Sequence, residues 1–121
     1  MPVRHYSELI AWQKSMDVVE EVNRHTECFP QREIFGITNQ MRRAAVSVPS
    51  NIAEGQGRAT TNDFLHFLHI ARGSLQELET QTILSKRLSF LQEGNYDAMM
   101  ARMAEVARVL NGLIKSLQNP C

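Results

Sequence analysis

Gln40-Met41-Arg42-Arg43-Ala44-Ala45-Val46-Ser47-Val48-Pro49-Ser50-Asn51-Ile52-Ala53-Glu54-Gly55 is the stretch on which the reading of this chain turns. Ile37, just upstream, begins a stripe with Met41, Ala44, Val48 and Ile52. Steps of three and four residues are the spacing of one buried helix face. The proline, asparagine and glutamate near its end are unusual in such a helix. Pro49 lacks an N–H, and its ring presses on the carbonyl four residues back, so a kink between Ala45 and Pro49 is expected. Gly36 and the β-branched Thr38 blur the first turn, which places this second helix at about 33–55. Gly55 and Gly57 supply its end, and Thr60-Thr61-Asn62 offers caps for the next.

Upstream, Leu9, Trp12, Met16, Val19 and Val22 repeat the same interval. They predict a first helix over about 6–25, with Ser7 as a cap just inside its start. Pro30 stops any helix that reaches it. Downstream, Phe64, Leu68, Ala71, Leu75 and Leu78 share one face of a third helix over about 62–88. Phe67, Ile70 and Leu84 widen that stripe on one flank, and Leu65 and Ile83 on the other. So broad a stripe belongs to a helix central to its bundle or buried between subunits. Gly94-Asn95 reads as the last turn. A fourth helix follows over about 96–117, with Met99, Met103, Val106, Leu110, Leu113 and Leu117 in heptad spacing. Four amphipathic helices, short links and no alternating strand pattern give an all-α, antiparallel up-down-up-down four-helix bundle. It fills a single domain, 1–121.

The 121 residues suit one domain with a core of its own. No apolar run reaches membrane-spanning length and the N-terminus has no signal-peptide pattern, so a cytoplasmic protein is expected. Cys28 and Cys121 do not make a disulfide framework, and Cys28 is expected to be at least partly buried. The 13 basic and 13 acidic residues divide evenly between the halves of the chain. A phosphate backbone selects clustered Lys and Arg, which this chain lacks. Symmetry can still gather arginines from several subunits into one ring.

Chemistry-bearing patterns are sparse. A diiron bundle needs Glu-x-x-His, which is absent, and Asp63-x-x-His66-x-x-His69 is the nearest approach. His69 points away from the apolar face and His66 lies at its margin, so both read as solvated, and no metal and no cofactor is expected. His25 precedes Cys28 by three residues, yet nothing supplies an oxyanion site. Gly55-x-Gly57 is no phosphate loop. Asn51 and Glu54 share one helix side, with Arg58 a turn further on. They read as a polar network tying the second helix to the third, Asn51 meeting carbonyls freed by Pro49 and Glu54 an arginine or N–H groups. Ser74 and Glu77 belong to the same expected network. Gly73 beside Ser74 would permit close helix approach, and Glu77 and Glu79 would pair with arginines. Arg42 and Arg43 lie about 100° apart, one able to bond within the bundle and the other facing out.

At these residues the chain resembles the small four-helix bundle proteins encoded by intervening sequences in bacterial 23S (large-subunit) rRNA genes. The pieces are Leu9-x-x-Trp12-Gln13-Lys14, Phe29-Pro30-x-x-Glu33, and Gln40-x-x-Arg43-Ala44-Ala45-x-Ser47-x-Pro49-x-Asn51-Ile52-Ala53-Glu54-Gly55. A fourth is Phe67-Leu68-x-Ile70-Ala71-x-Gly73-Ser74-x-x-Glu77-Leu78-Glu79. Phe35 stands where that family often has a tyrosine. The family is similar in turn to the accessory variability protein of diversity-generating retroelements. That likeness implies a homo-oligomeric ring of five protomers with a central channel. It also implies RNA or DNA and a reverse transcriptase as partners. It carries no catalytic residue over. The expected function is therefore a non-enzymatic, homo-oligomeric scaffold or binding protein. In its leading form it binds nucleic acid through Arg42, Arg43, Arg58 and Arg72 gathered across subunits. A protein–protein interaction module is the runner-up and a small hydrolase the outside alternative. Trp12 and Phe35 are candidate contact residues.

Overall fold

The computed structural model describes residues 5–119. It contains four helices: α1 (Ile10–Thr26), α2 (Ile37–Gln56), α3 (Thr61–Arg87) and α4 (Glu93–Gln118). Single 3-10 turns, Tyr6–Glu8 and Gln31–Glu33, lead into α1 and α2. No strand occurs among the described residues. Each helix packs on two neighbours, α1 on α2, α2 on α3, α3 on α4 and α4 on α1, and α2 with α3 share the most extensive seam. This is the antiparallel bundle that the apolar spacing predicts. Cys121 lies outside the described residues.

The α2 stripe is buried throughout, from Ile37 to Ile52, and the helix runs unbroken through the buried Pro49. In α3, Leu68, Ala71, Leu75 and Leu78 are buried and Phe64 is partly so. Thr60 caps this helix by accepting from the Asp63 N–H at 3.1 Å. In α4, Met99, Met103, Val106 and Leu110 reach the core. The next buried residue is Ile114, while Leu113 and Leu117 are only half covered. Full burial of side chains such as Ile52, Leu68 and Leu110 contributes about 1.5–3 kcal/mol each.

Several sequence expectations shift. Helix α1 begins at Ile10, and Ser7 lies in the preceding 3-10 turn, whose cap is His5. The core face of α1 is Ala11, Ser15, Val18, Val22 and Thr26; Trp12 and Val19 are half covered and Met16 is exposed. Small hydroxyl residues can line the core because each donates to its own helix, Ser15 to Trp12 O at 2.8 Å and Thr26 to Val22 O at 2.7 Å. Helix α2 starts at Ile37, four residues after the expected point, because 31–33 form a separate 3-10 turn. Gly94 and Asn95 lie in the first turn of α4, not before it. The turn is made at Ser89, at φ 64°, where Phe90 N–H donates to Ser85 O and Ser89 N–H to Lys86 O. That pairing is a Schellman motif with serine in the left-handed position usual for glycine. Gly73 makes no close approach: nothing lies within 4 Å of where its Cβ would be. Gly55 does, with Phe64 and Phe67 of α3 against it. Cys28 is exposed. Ile70, Ile83 and Leu84 are exposed and leave much of the wide α3 stripe uncovered.

Candidate functional site

Two open surfaces flank α2. The first is a polar cleft of about 360 Å³ along the α2–α3 seam, lined by Gln40, Arg43 and Ser47 from α2 and by Ser74 and Glu77 from α3. Antiparallel packing brings the middle of each helix to the same level. The Ser47 and Ser74 hydroxyls then meet at 2.8 Å. Asn51 donates to the Ser47 carbonyl at 2.8 Å and to its hydroxyl at 3.0 Å. It therefore serves Ser47 rather than the Ala45 carbonyl that Pro49 leaves without its helical donor. The polar tie between α2 and α3 runs through Ser47, which the sequence reading did not single out. Its place one turn before Asn51 was the available signal.

Glu54 does not join that tie. It pairs with Arg58 on its own helix end at 3.3 Å, and both side chains are about half exposed. The link to α3 is made instead by Arg58, whose guanidinium lies 4.7 Å from the Phe67 ring centre. Neither Glu77 nor Glu79 forms an ion pair among the described residues; Glu77 receives a long 3.5 Å contact from Gln81.

The four arginines are not gathered on one face of the bundle. Arg42 turns inward and donates from Nε to Thr26 Oγ1 at 2.9 Å, fastening α2 to the end of α1. Arg58 sits past the end of α2. Arg72 reaches α4, donating to Asn111 Oδ1 at 3.1 Å, with His69 2.9 Å away. Arg43 alone of the four is exposed without an ion pair or hydrogen bond among the described residues, at the mouth of the polar cleft. Six other cations are held by acids: Lys14 and Arg108 by Glu105, Arg24 and Arg102 by Glu21, Arg32 by Glu33, and Lys86 by Glu93.

Two of those acids are shifted. Burial would raise the Glu21 carboxyl, but hydrogen bonds from Arg24 and His25 and the charges of Arg24 and Arg102 outweigh it and hold it below its ordinary value. The hydrogen bond and charge of Lys14 do the same for Glu105. Both fasten α1 to α4, on the seam opposite the polar cleft. His25, the base that the sequence offers to Cys28, bonds Glu21 at 3.0 Å instead. His66 and His69 are exposed, and no group of three metal-ligating side chains occurs among the described residues.

The second surface is an apolar groove of about 390 Å³ between α1 and α2. Tyr6, Trp12, Met16 and Val19 form one wall, and Val46, Pro49 and Ala53 the other. Three of these residues belong to the apolar stripe that sequence spacing assigns to the core. No described helix is long and apolar enough to cross a membrane.

Comparison with known proteins gives the chain a family. The model of the 23S rRNA-intervening sequence proteins matches residues 7–112. A solved structure from Bacteroides thetaiotaomicron, described as a protein with unknown function from the S23 ribosomal protein family, is similar in fold at a TM-score of 0.79. It shares 24% identity, over 88% of this chain and 96% of that one. No curated protein matches the chain. The quoted motifs supply every cleft residue named above, Gln40, Arg43, Ser47, Ser74 and Glu77.

Proposed function

The chain belongs to the 23S rRNA-intervening sequence protein family, and on that premise we propose that it is a non-enzymatic, homo-oligomeric binding protein. The observation that carries this reading is the large apolar surface left uncovered by the bundle. Phe35 is 92% exposed, and Ile34, Ile70, Ile83, Leu84 and Leu88 are exposed with it. Covering a side chain as exposed as Phe35 removes about 1.5–3 kcal/mol of unfavourable hydration, and covering the half-exposed ones correspondingly less. The family resemblance suggests a ring of five. Light scattering coupled to chromatography on untagged protein at micromolar concentration tests the assembly. A mass of several 13.8 kDa protomers is expected, and a strictly monomeric mass overturns it.

Within that reading, the assembly binds nucleic acid weakly and without sequence preference. Arg43 favours this version, as an exposed cation without an ion pair or hydrogen bond among the described residues, whereas Arg42 and Arg72 are held by Thr26 and Asn111 and Arg58 by Glu54. Symmetry would repeat it around the ring. Phosphate contacts release counterions, so affinity falls steeply with salt. Arg43→Ala should weaken binding alike for unrelated sequences, since phosphate contacts position rather than read. Fluorescence anisotropy with short RNA, single-stranded DNA and duplex DNA at about 50 mM salt measures it. No saturable binding by the folded oligomer would leave a protein-binding module as the better account.

A further inference from the structure

Resting on the homo-oligomeric reading, we infer that Phe35 of one protomer docks into the α1–α2 groove of the next, joining the copies head to tail. Phe35 is the most exposed large apolar residue of the described chain at 92%, and exposed Ile34 stands beside it. It is also held in place. Ile34 N–H donates to Gln31 O at 3.2 Å, Gly36 N–H to Glu33 O at 2.9 Å, and Gln40 N–H to Gly36 O at 3.0 Å. A preformed knob gives up little conformational freedom on docking.

The groove has the matching chemistry. Its walls are the side chains of Trp12, Met16, Val19, Val46, Pro49 and Ala53, around about 390 Å³ of open space. An aromatic ring enclosed there would meet an aromatic face, a thioether and aliphatic carbon. Phe35 cannot enter the groove of its own chain. The rigid α2 helix starts at Ile37, and Val46 and Ala53 lie nine and sixteen residues further on. At roughly 1.5 Å per residue these positions are about 14 and 24 Å away along the axis, beyond the reach of a phenylalanine. A second copy has no such restriction. Joined head to tail, each knob in the groove of the next copy, the contact is heterologous, unlike the reciprocal exchange of a two-fold dimer. Heterologous contacts generate closed rings when the rotation per step closes, and filaments otherwise.

Two variants and one intrinsic probe test this. Phe35→Glu removes the knob and Val46→Glu obstructs the groove; both positions are exposed, so the bundle should keep its helicity. Trp12 is the one tryptophan of the chain and lines the groove. Wild type should exceed a dimer in mass, and each variant alone should be a folded monomer with red-shifted Trp12 emission. An equimolar mixture of the variants keeps one intact knob and one intact groove. It should form a dimer and no more, with Trp12 emission moving back to shorter wavelength. A wild-type assembly that survives Phe35→Glu at full size overturns the inference and leaves the homo-oligomer standing. So does a wild type that stops at the dimer, or a mixture of monomeric variants that fails to pair. A monomeric wild type overturns the homo-oligomeric reading itself.

Discussion

Gly55 shows how much a single hydrogen can decide. A Cβ there would lie 2.7 Å from the Phe67 Cβ and 3.0 Å from the Phe64 ring. The Phe67 Cβ is fixed to the α3 backbone and cannot swing aside, so the helices would have to part. Gly55→Ala is expected to destabilise by about 1–3 kcal/mol, read as a lower urea midpoint at unchanged slope. Gly73→Ala is the control. Its Cβ meets nothing within 4 Å, so the change should stabilise by up to about 1 kcal/mol through helix propensity. Ser89 presents the reverse case, a side chain in a left-handed turn at φ 64°. Ser89→Gly relieves that conformation and should raise stability by about 1 kcal/mol. Glu54 looks from the sequence like a buried partner whose loss would cost about 1–3 kcal/mol. Its observed pair with Arg58 is half exposed, so Glu54→Ala should lower the unfolding free energy from urea curves by less than about 1 kcal/mol.

At the scale of the element, legibility depended on what each helix buries. The stripes of α2 and most of α3 and α4 are made of large aliphatic and thioether residues, and their period pointed to the core. The stripe of α1 misled, because Ala11, Ser15 and Thr26 carry little hydropathy yet face inward, while Trp12, Met16 and Val19 line an open groove. Residue spacing alone cannot distinguish a small residue that lets helices approach from one that is merely exposed. The Ser47–Ser74 contact was hidden for the same reason: only the level of α2 against α3 brings the two hydroxyls together. Helix α1 is also fastened to α4 by charge, through Glu21 with Arg102 at 3.7 Å. The Glu21 carboxyl titrates below its ordinary value of 4.5 in the folded state. A depressed folded value means stability present above the unfolded value and lost as pH falls through the folded one. Thermal midpoints should therefore decline as pH drops below about 4.5. Glu21→Gln should flatten that decline and be less stable than wild type at neutral pH.

The whole molecule poses a question that one protomer does not answer. Its core closes on four sides, yet Phe35, the α1–α2 groove and the outer arc of α3 remain apolar and open. The bundle was legible because every helix supplies its own periodic evidence. The open α1–α2 groove was not, since a groove residue and a core residue share the same chemistry in the sequence. Assembly makes that difference measurable without any ligand. Partners that bind only the folded protomer shift the folding equilibrium by mass action, about 1.4 kcal/mol per tenfold rise in concentration for each contact once the dissociation constant is exceeded. The thermal midpoint of the wild type should therefore rise across a protein concentration range of about 100-fold, which on that scale is about 2.7 kcal/mol per contact. Phe35→Glu should unfold at one temperature throughout, close to that of dilute wild type, because its bundle core is untouched. Scanning calorimetry at the two extremes makes the comparison. A wild-type midpoint that does not move with concentration would mean that folded protomers do not associate in that range, whatever apolar surface they expose.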